Sequence, residues 1–177
     1  MVEALPIRGD LRDLRASSAG SFNQKYQMKI AIGSDNQCHL TAEITGYLKE
    51  KGIELIPCGA LAGNESDYVD AASEVAQRVK SGECEQGLIF CWTGTGVTII
   101  ANKFHGVRAA LCVDSFSAKI ARLANNANVL VLGIRLTGGP LAKEIVDTWL
   151  ETEPSTEPRR VNFHRKTDAL DASICCQ

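Results

Sequence analysis

The sequence predicts a Rossmann-like, doubly wound α/β fold: five parallel strands with helices on both faces of the sheet. Three observations carry that prediction. Short apolar runs alternate with amphipathic stretches five times along the chain. The runs are apolar at successive positions, as strands covered on both faces must be. The run from Gly87 to Cys91 then passes through a Gly- and Thr-rich turn directly into a helical stretch.

The elements follow in order. Met28–Gly33 is the first strand and ends in Ser34-Asp35-Asn36. From Leu40 to Lys51, Leu40, Ile44, Tyr47 and Leu48 share one helical face, and Gly52 stops the helix. Ile53–Cys58 is the second strand. A loop from Gly59 to Asp67 leads into a helix that turns Val69, Ala72, Val75, Ala76 and Val79 inward. Gly87–Cys91 is the third strand, feeding a helix over Val97–Lys103. Val107–Val113 is the fourth, followed by a helix over Phe116–Leu123. Val129–Gly133 is the fifth, followed by a helix from Leu141 to Leu150. These elements define one domain, 28–152. Residues 1–27 mix Arg8, Arg12 and Arg15 with Asp10 and Asp13 ahead of a Ser-rich stretch, and are expected to form a flexible extension. Residues 153–177 form a polar tail, expected to contact a partner subunit.

Composition narrows the function. At 177 residues, the chain suffices for one hydrophobic core. A formal net charge of -2 gives no basic footprint for nucleic acid. No apolar run approaches the roughly 20 residues that cross a bilayer. The seven cysteines are Cys38, Cys58, Cys84, Cys91, Cys112, Cys175 and Cys176, an odd number with no CxxC pair. They read as reduced thiols of a cytoplasmic protein. With only His39, His105 and His164 beside them, no metal site is expected.

The chemistry concentrates between Cys91 and Gly96. A strand that turns tightly into a helix leaves free backbone N–H groups at the helix start, which favour an anion and a nearby thiolate. Three readings of the turn compete. A P-loop needs Gly-Lys-Ser/Thr, and Lys103 lies far beyond the turn. A dinucleotide fingerprint fits Gly94 and Gly96 but meets Ile99 where a tiny residue belongs, although Asp114 lies at the distance of a ribose partner. The third reading is an anion hole with a thiol acid/base. Taken singly, Cys91 could be an inert buried thiol, Arg135 a solvated surface arginine, and Arg159-Arg160 an ordinary basic pair. Cys38, Cys58, Cys84 and Cys112 read as packing residues, and His105 and His164 as surface histidines.

Several runs together resemble a known family: Ile30 to Asp35, Ser66-Asp67-Tyr68, Cys91 to Lys103, Gly106 to Ala110, Asn125 to Leu130, and Ile145 to Leu150. They are similar to type B ribose-5-phosphate isomerase, a family that includes the galactose-6-phosphate isomerase subunits. The resemblance spans roughly Met28 to Val161. It implies a cofactor-independent aldose–ketose isomerase of a sugar phosphate, working through a cis-enediolate. Cys91 matches the catalytic acid/base and Thr93 the hydroxyl of ring opening or proton relay. Trp92, Gly94, Thr95 and Gly96 match the anion hole. Asp35, Tyr68 and Asn125 match residues lining the sugar, and Arg135 and Arg160 match phosphate-gripping arginines. The resemblance also implies a homodimer, or a tetramer of such pairs, with the site shared between subunits.

The departures from that pattern bear on the substrate. Asn36 stands where the family has an imidazole, and Ala124 stands in place of its ring-opening histidine. The stretch Thr156-Glu157-Pro158-Arg159-Arg160 keeps only the distal arginines. Trp92 replaces a glycine. Without imidazoles the chain lacks the usual proton shuttle for opening a furanose at neutral pH, so a substrate that is already open-chain, such as a four-carbon sugar phosphate or a ketose phosphate that cannot close readily, is expected ahead of ribose or ribulose 5-phosphate. A non-catalytic sugar-phosphate binder of the same fold is the alternative. A nicotinamide-type dehydrogenase is a third reading and would require tight dinucleotide binding.

Overall fold

The computed structural model describes residues 28–174; the expected extension at 1–27 and the last two cysteines lie outside them. Five strands occur among the described residues: β1 Lys29–Ser34, β2 Glu54–Gly59, β3 Gln86–Cys91, β4 Ala109–Leu111 and β5 Val129–Gly133. The helices are α1 His39–Glu50, α2 Tyr68–Lys80, α3 Thr95–Ala101, α4 Ser115–Asn125, α5 Gly139–Glu151 and α6 Pro158–Ile174. All strand pairs are parallel, in the order β2-β1-β3-β5-β4. This is the Rossmann-like fold expected from the alternation.

Two cores form, one on each face of the sheet, because alternate residues of a strand point to opposite sides. Phe90, Leu130 and Leu132 join Ile44 and Leu48 of α1 and Ile145 and Trp149 of α5. Ile89, Val129 and Val131 join Val75 and Ala76 of α2 and Val97 of α3. The chain leaves β1 toward β2 and leaves β3 toward β4, so the carboxyl ends of β1 and β3 flank a switch point. Ligands of open α/β sheets bind in such a crevice.

Two elements differ from expectation. The fourth strand is three residues, not seven, because it is an edge strand paired only with β5 and both of its ends are engaged elsewhere. The Asn102 side chain bonds both the N–H and C=O of Ala109 at 2.9 Å. The N–H groups of Val113 and Asp114 donate to Ser117 Oγ in the cap of α4. The tail is a 17-residue helix, α6, which packs on α4 of its own chain. His164 Nε2 lies 2.8 Å from the carbonyl of Ala124. Asp168 pairs with Arg108 at 2.9 Å, and Asp171 accepts from the Gly106 N–H at 2.6 Å and faces His105 at 3.0 Å. His105 and His164 lie at the surface, as expected, and there they also hold the tail.

Candidate active site

The site is built at the switch point. β3, buried along its whole length, lies between β1 and β5 and delivers Cys91 to the carboxyl edge with 9% exposure. Gly94 caps α3 with φ 79°, a left-handed conformation that glycine adopts without cost. A Cβ at Gly94 would lie 2.5 Å from Leu111 Cδ1 and 3.1 Å from Val131 Cγ1. The first helical bond of α3 runs from the Thr98 N–H to the Gly94 carbonyl, so the N–H groups of Thr95, Gly96 and Val97 precede the helix ladder, as helix starts require. Thr93 Oγ1 and Thr95 Oγ1 share a hydrogen bond of 2.9 Å across the turn.

Tyr68 closes one side. The Asp67 carboxylate accepts from the N–H groups of Val69 and Asp70 at 2.8 and 2.9 Å, which fixes the start of α2. Tyr68, first in that helix, lays its ring over Gly96, where a Cβ would sit 3.0 Å from Tyr68 Cε2. On the β1 side, the Asn36 N–H donates to Ser34 Oγ at 3.2 Å, with Asp35 half-buried beside an exposed Asn36. On the β5 side the ladder continues past the strands: the Ile134 N–H donates to the Cys91 carbonyl at 2.8 Å, and the Arg135 N–H to the Trp92 carbonyl at 3.0 Å. The Arg135 guanidinium then stands 5.4 Å from the centre of the Trp92 ring.

Three other thiols, Cys58, Cys84 and Cys112, lie buried in the cores. Burial pushes the Cys58 thiol up to about 12, and the thiols of Cys84 and Cys112 up to about 11. These three are held as neutral thiols and pack the cores, as their apolar settings suggested. Among the described residues no group of three His, Cys, Asp or Glu could hold a metal ion, and no helix is long and apolar enough to cross a membrane.

Ten of the twelve predicted site residues converge here: Asp35, Asn36, Tyr68, Cys91, Trp92, Thr93, Gly94, Thr95, Gly96 and Arg135. Asn125 and Arg160 do not. Asn125 ends α4 four residues before Val129, which pairs with Gly87, whereas Cys91 pairs with Gly133 at the other end of the sheet. The rise of β5 alone separates the two levels by about 13 Å. The Ser155 N–H donates to the Leu123 carbonyl, so the chain enters α6 at this same amino end, and Arg160 there pairs with Glu157 at 3.4 Å. Sequence reasoning gave no role to Thr137, buried in the loop after Arg135, whose hydroxyl oxygen has no hydrogen-bond partner among the described residues. A threonine in a polar loop carries no mark of burial.

Comparisons with known proteins place the chain among sugar-phosphate isomerases. The model of a family described as Ribose/Galactose Isomerase matches residues 30–165. Ribose-5-phosphate isomerase B of Escherichia coli (strain K12) is 45% identical over 123 residues, covering 69% of this chain and 83% of the relative. D-erythrulose-4-phosphate isomerase of Pectobacterium atrosepticum is 42% identical over 128 residues, 71% of this chain and 84% of the relative. Among solved structures, ribose-5-phosphate isomerase B of Clostridium thermocellum superposes with a TM-score of 0.77 at 45% identity, covering 83% of this chain and 99% of the other.

Proposed function

This chain belongs to the ribose/galactose isomerase family, and from that membership we propose that it interconverts an aldose and a ketose carrying a terminal phosphate, with Cys91 as the acid/base. Cys91 Sγ takes the proton from the carbon beside the carbonyl and returns it to the neighbouring carbon. The electron pair left by the first step forms a cis-enediolate, and its collapse after reprotonation leaves the carbonyl moved by one carbon. Nothing is oxidised or reduced overall. Thr93, hydrogen-bonded to Thr95, passes the hydroxyl proton between the two oxygens. The turn from Trp92 to Gly96 offers backbone N–H groups to the enediolate, each such donor being worth about 3–4 kcal/mol in related chemistry. Asp35, Asn36 and Tyr68 line the chain of the sugar, and Arg135 grips the phosphate.

The carrying observation is the nearly buried thiol of Cys91 at the end of the central strand, beside a turn that only glycine can make at Gly94. The substrate is an open-chain, four-carbon sugar phosphate. A tetrose phosphorylated at its terminal oxygen has no hydroxyl left to close a five-membered ring, so it needs no ring-opening imidazole. That matches Asn36 and Ala124, and a relative 42% identical acts, by its name, on D-erythrulose 4-phosphate. Asn125 and Arg160, at the opposite end of the sheet from Cys91, serve the site of a second copy in a two-fold dimer.

The test is a substrate panel of tetrose, pentose and hexose phosphates, followed in heavy water. The expected result is turnover of the tetrose phosphate with solvent deuterium entering the carbon beside the carbonyl. A clear preference for a furanose-forming pentose phosphate would sink the four-carbon assignment. Absence of solvent exchange with every sugar would sink the isomerase reading of Cys91.

A further inference from the structure

Trp92 and Arg135 come from the ends of different strands and are joined twice. Their backbones share the 3.0 Å hydrogen bond that extends the β3–β5 ladder, and the guanidinium stands over the indole at 5.4 Å. Trp92 is 60% exposed, directly after a thiol that is 9% exposed. An indole left this open adds little to the core, so its place needs another account.

The second arginine–tryptophan pair of the molecule supplies the contrast. Arg122 also stands 5.4 Å from a tryptophan ring, that of Trp149. There both partners are buried, and the guanidinium donates to the carbonyls of Thr152 and Ala127. That pair is structural. Arg78, Arg108 and Arg160 each pair with a carboxylate. Arg135 has no carboxylate within ion-pair reach among the described residues, and it lies at the carboxyl edge of the sheet beside Cys91.

We propose that Trp92 is a positioning residue: its ring holds the Arg135 guanidinium close to Cys91, where the fork meets the terminal phosphate of a short sugar chain. This rests on the isomerase reading above and names the pair that sets its chain-length preference. Stacking occupies the face of a guanidinium and leaves the edge, with its five donors, free for the oxygens of a phosphate. It also removes part of the rotamer freedom that a solvated arginine would lose on binding. Because the ring belongs to the residue next to the thiol, the cation it holds is kept near the reacting carbons. A four-carbon chain then spans from enediolate to phosphate, while a longer chain presents its phosphate beyond the fork.

The experiment is a double-mutant cycle with Trp92→Leu, Arg135→Met and both together, alongside Trp92→Phe. Steady-state kinetics with D-erythrose 4-phosphate and D-ribose 5-phosphate are paired with calorimetric binding of D-erythrose 4-phosphate to the same variants in a Cys91→Ala background. Trp92→Leu is expected to weaken binding of the four-carbon sugar about three- to fivefold, the scale of an exposed cation–π contact. The loss should fall on KM more than kcat and be smaller for the five-carbon sugar. Trp92→Phe should recover most of it, and in the Arg135→Met background Trp92→Leu should add nothing. Independent, additive effects of the two substitutions would overturn the proposal, as would a loss confined to kcat. Coupled binding without turnover in the Cys91-containing proteins would leave the pair standing and remove the isomerase reading. Turnover with an additive cycle would do the reverse, and absence of binding to any variant would overturn both.

Discussion

The two ends of the sheet are built from different materials. The carboxyl end holds the thiol, the glycine turn, a tyrosine ring and an arginine without a carboxylate partner among the described residues, converging from β3, α2 and β5. The amino end holds Asn125 at the close of α4 and Arg160 in the first turn of α6, with His164 tying that helix to Ala124. On the function proposed above, one end is a reaction centre lacking part of its binding set, and the other is a binding set lacking a reaction centre. In a two-fold dimer the same patch appears on both subunits, so one contact can complete both sites. A functional residue set in sequence need not be a neighbourhood in one chain.

The largest way to break this contrast is at the carboxyl end. Cys91→Ala should lower kcat by about 10²- to 10⁴-fold, the usual worth of a positioned acid/base. Cys58→Ala, which alters a thiol that burial holds neutral up to about 12, should leave the reaction intact and lower the melting temperature. Equal kinetic losses from the two would erase the distinction between the thiols.

The next effect tests the amino end. Arg160→Ala should raise KM about ten- to a hundredfold, as expected for loss of a charged hydrogen bond to phosphate, with kcat affected less. Mixing it with Cys91→Ala should then restore activity. Random pairing gives half heterodimers, each with one complete site, so with substrate well below the wild-type KM recovery should approach roughly a quarter of the wild-type rate. No recovery on mixing, with exchange of subunits verified, would place Arg160 outside the partner's site.

How far the sequence went differs between the same two ends. The carboxyl end was legible because its constraints are local: a buried strand, a thiol at its last position, and a turn whose φ of 79° demands Gly94. The amino end was legible only residue by residue. Asn125 and Arg160 could be picked out, and the family resemblance implied a site shared between subunits, but their distance from Cys91 within one chain follows only from the direction of β5 and its register with β3. The helix in the tail was missed outright. Its apolar residues Val161, Phe163 and Leu170 are exposed and lie on no single face, so periodicity gave no signal. What holds α6 is polar: two aspartates and a histidine reaching residues far away in sequence.

A smaller effect sharpens the account of the turn. Gly94→Ala would require a Cβ 2.5 Å from Leu111 and a left-handed backbone that alanine disfavours. The loss should be about 1–3 kcal/mol, a shift of about 2–4 °C in melting temperature for each kcal/mol in a chain of this size. A variant as stable as the parent would mean that the turn can form another way.

The smallest effect concerns how the amino end is held in order. His164 lies one helical turn from Arg160, and its ring nitrogen bonds the Ala124 carbonyl, at the exposed close of α4. Residues four apart share a helix face, so this bond fixes the turn that carries Arg160 against the helix that carries Asn125. Removing it with His164→Ala should lower the local stability of the first turns of α6 by about 1 kcal/mol without adding to global unfolding. The Arg108–Asp168 pair and the bond from the Gly106 N–H to Asp171 remain, so the far half of α6 stays docked and the melting temperature barely moves. The change should appear locally, as about a fivefold loss of amide-exchange protection in the first two turns of α6. Protection unchanged there, or lost evenly along the whole helix, would show that His164 does not hold Arg160 in register with Asn125.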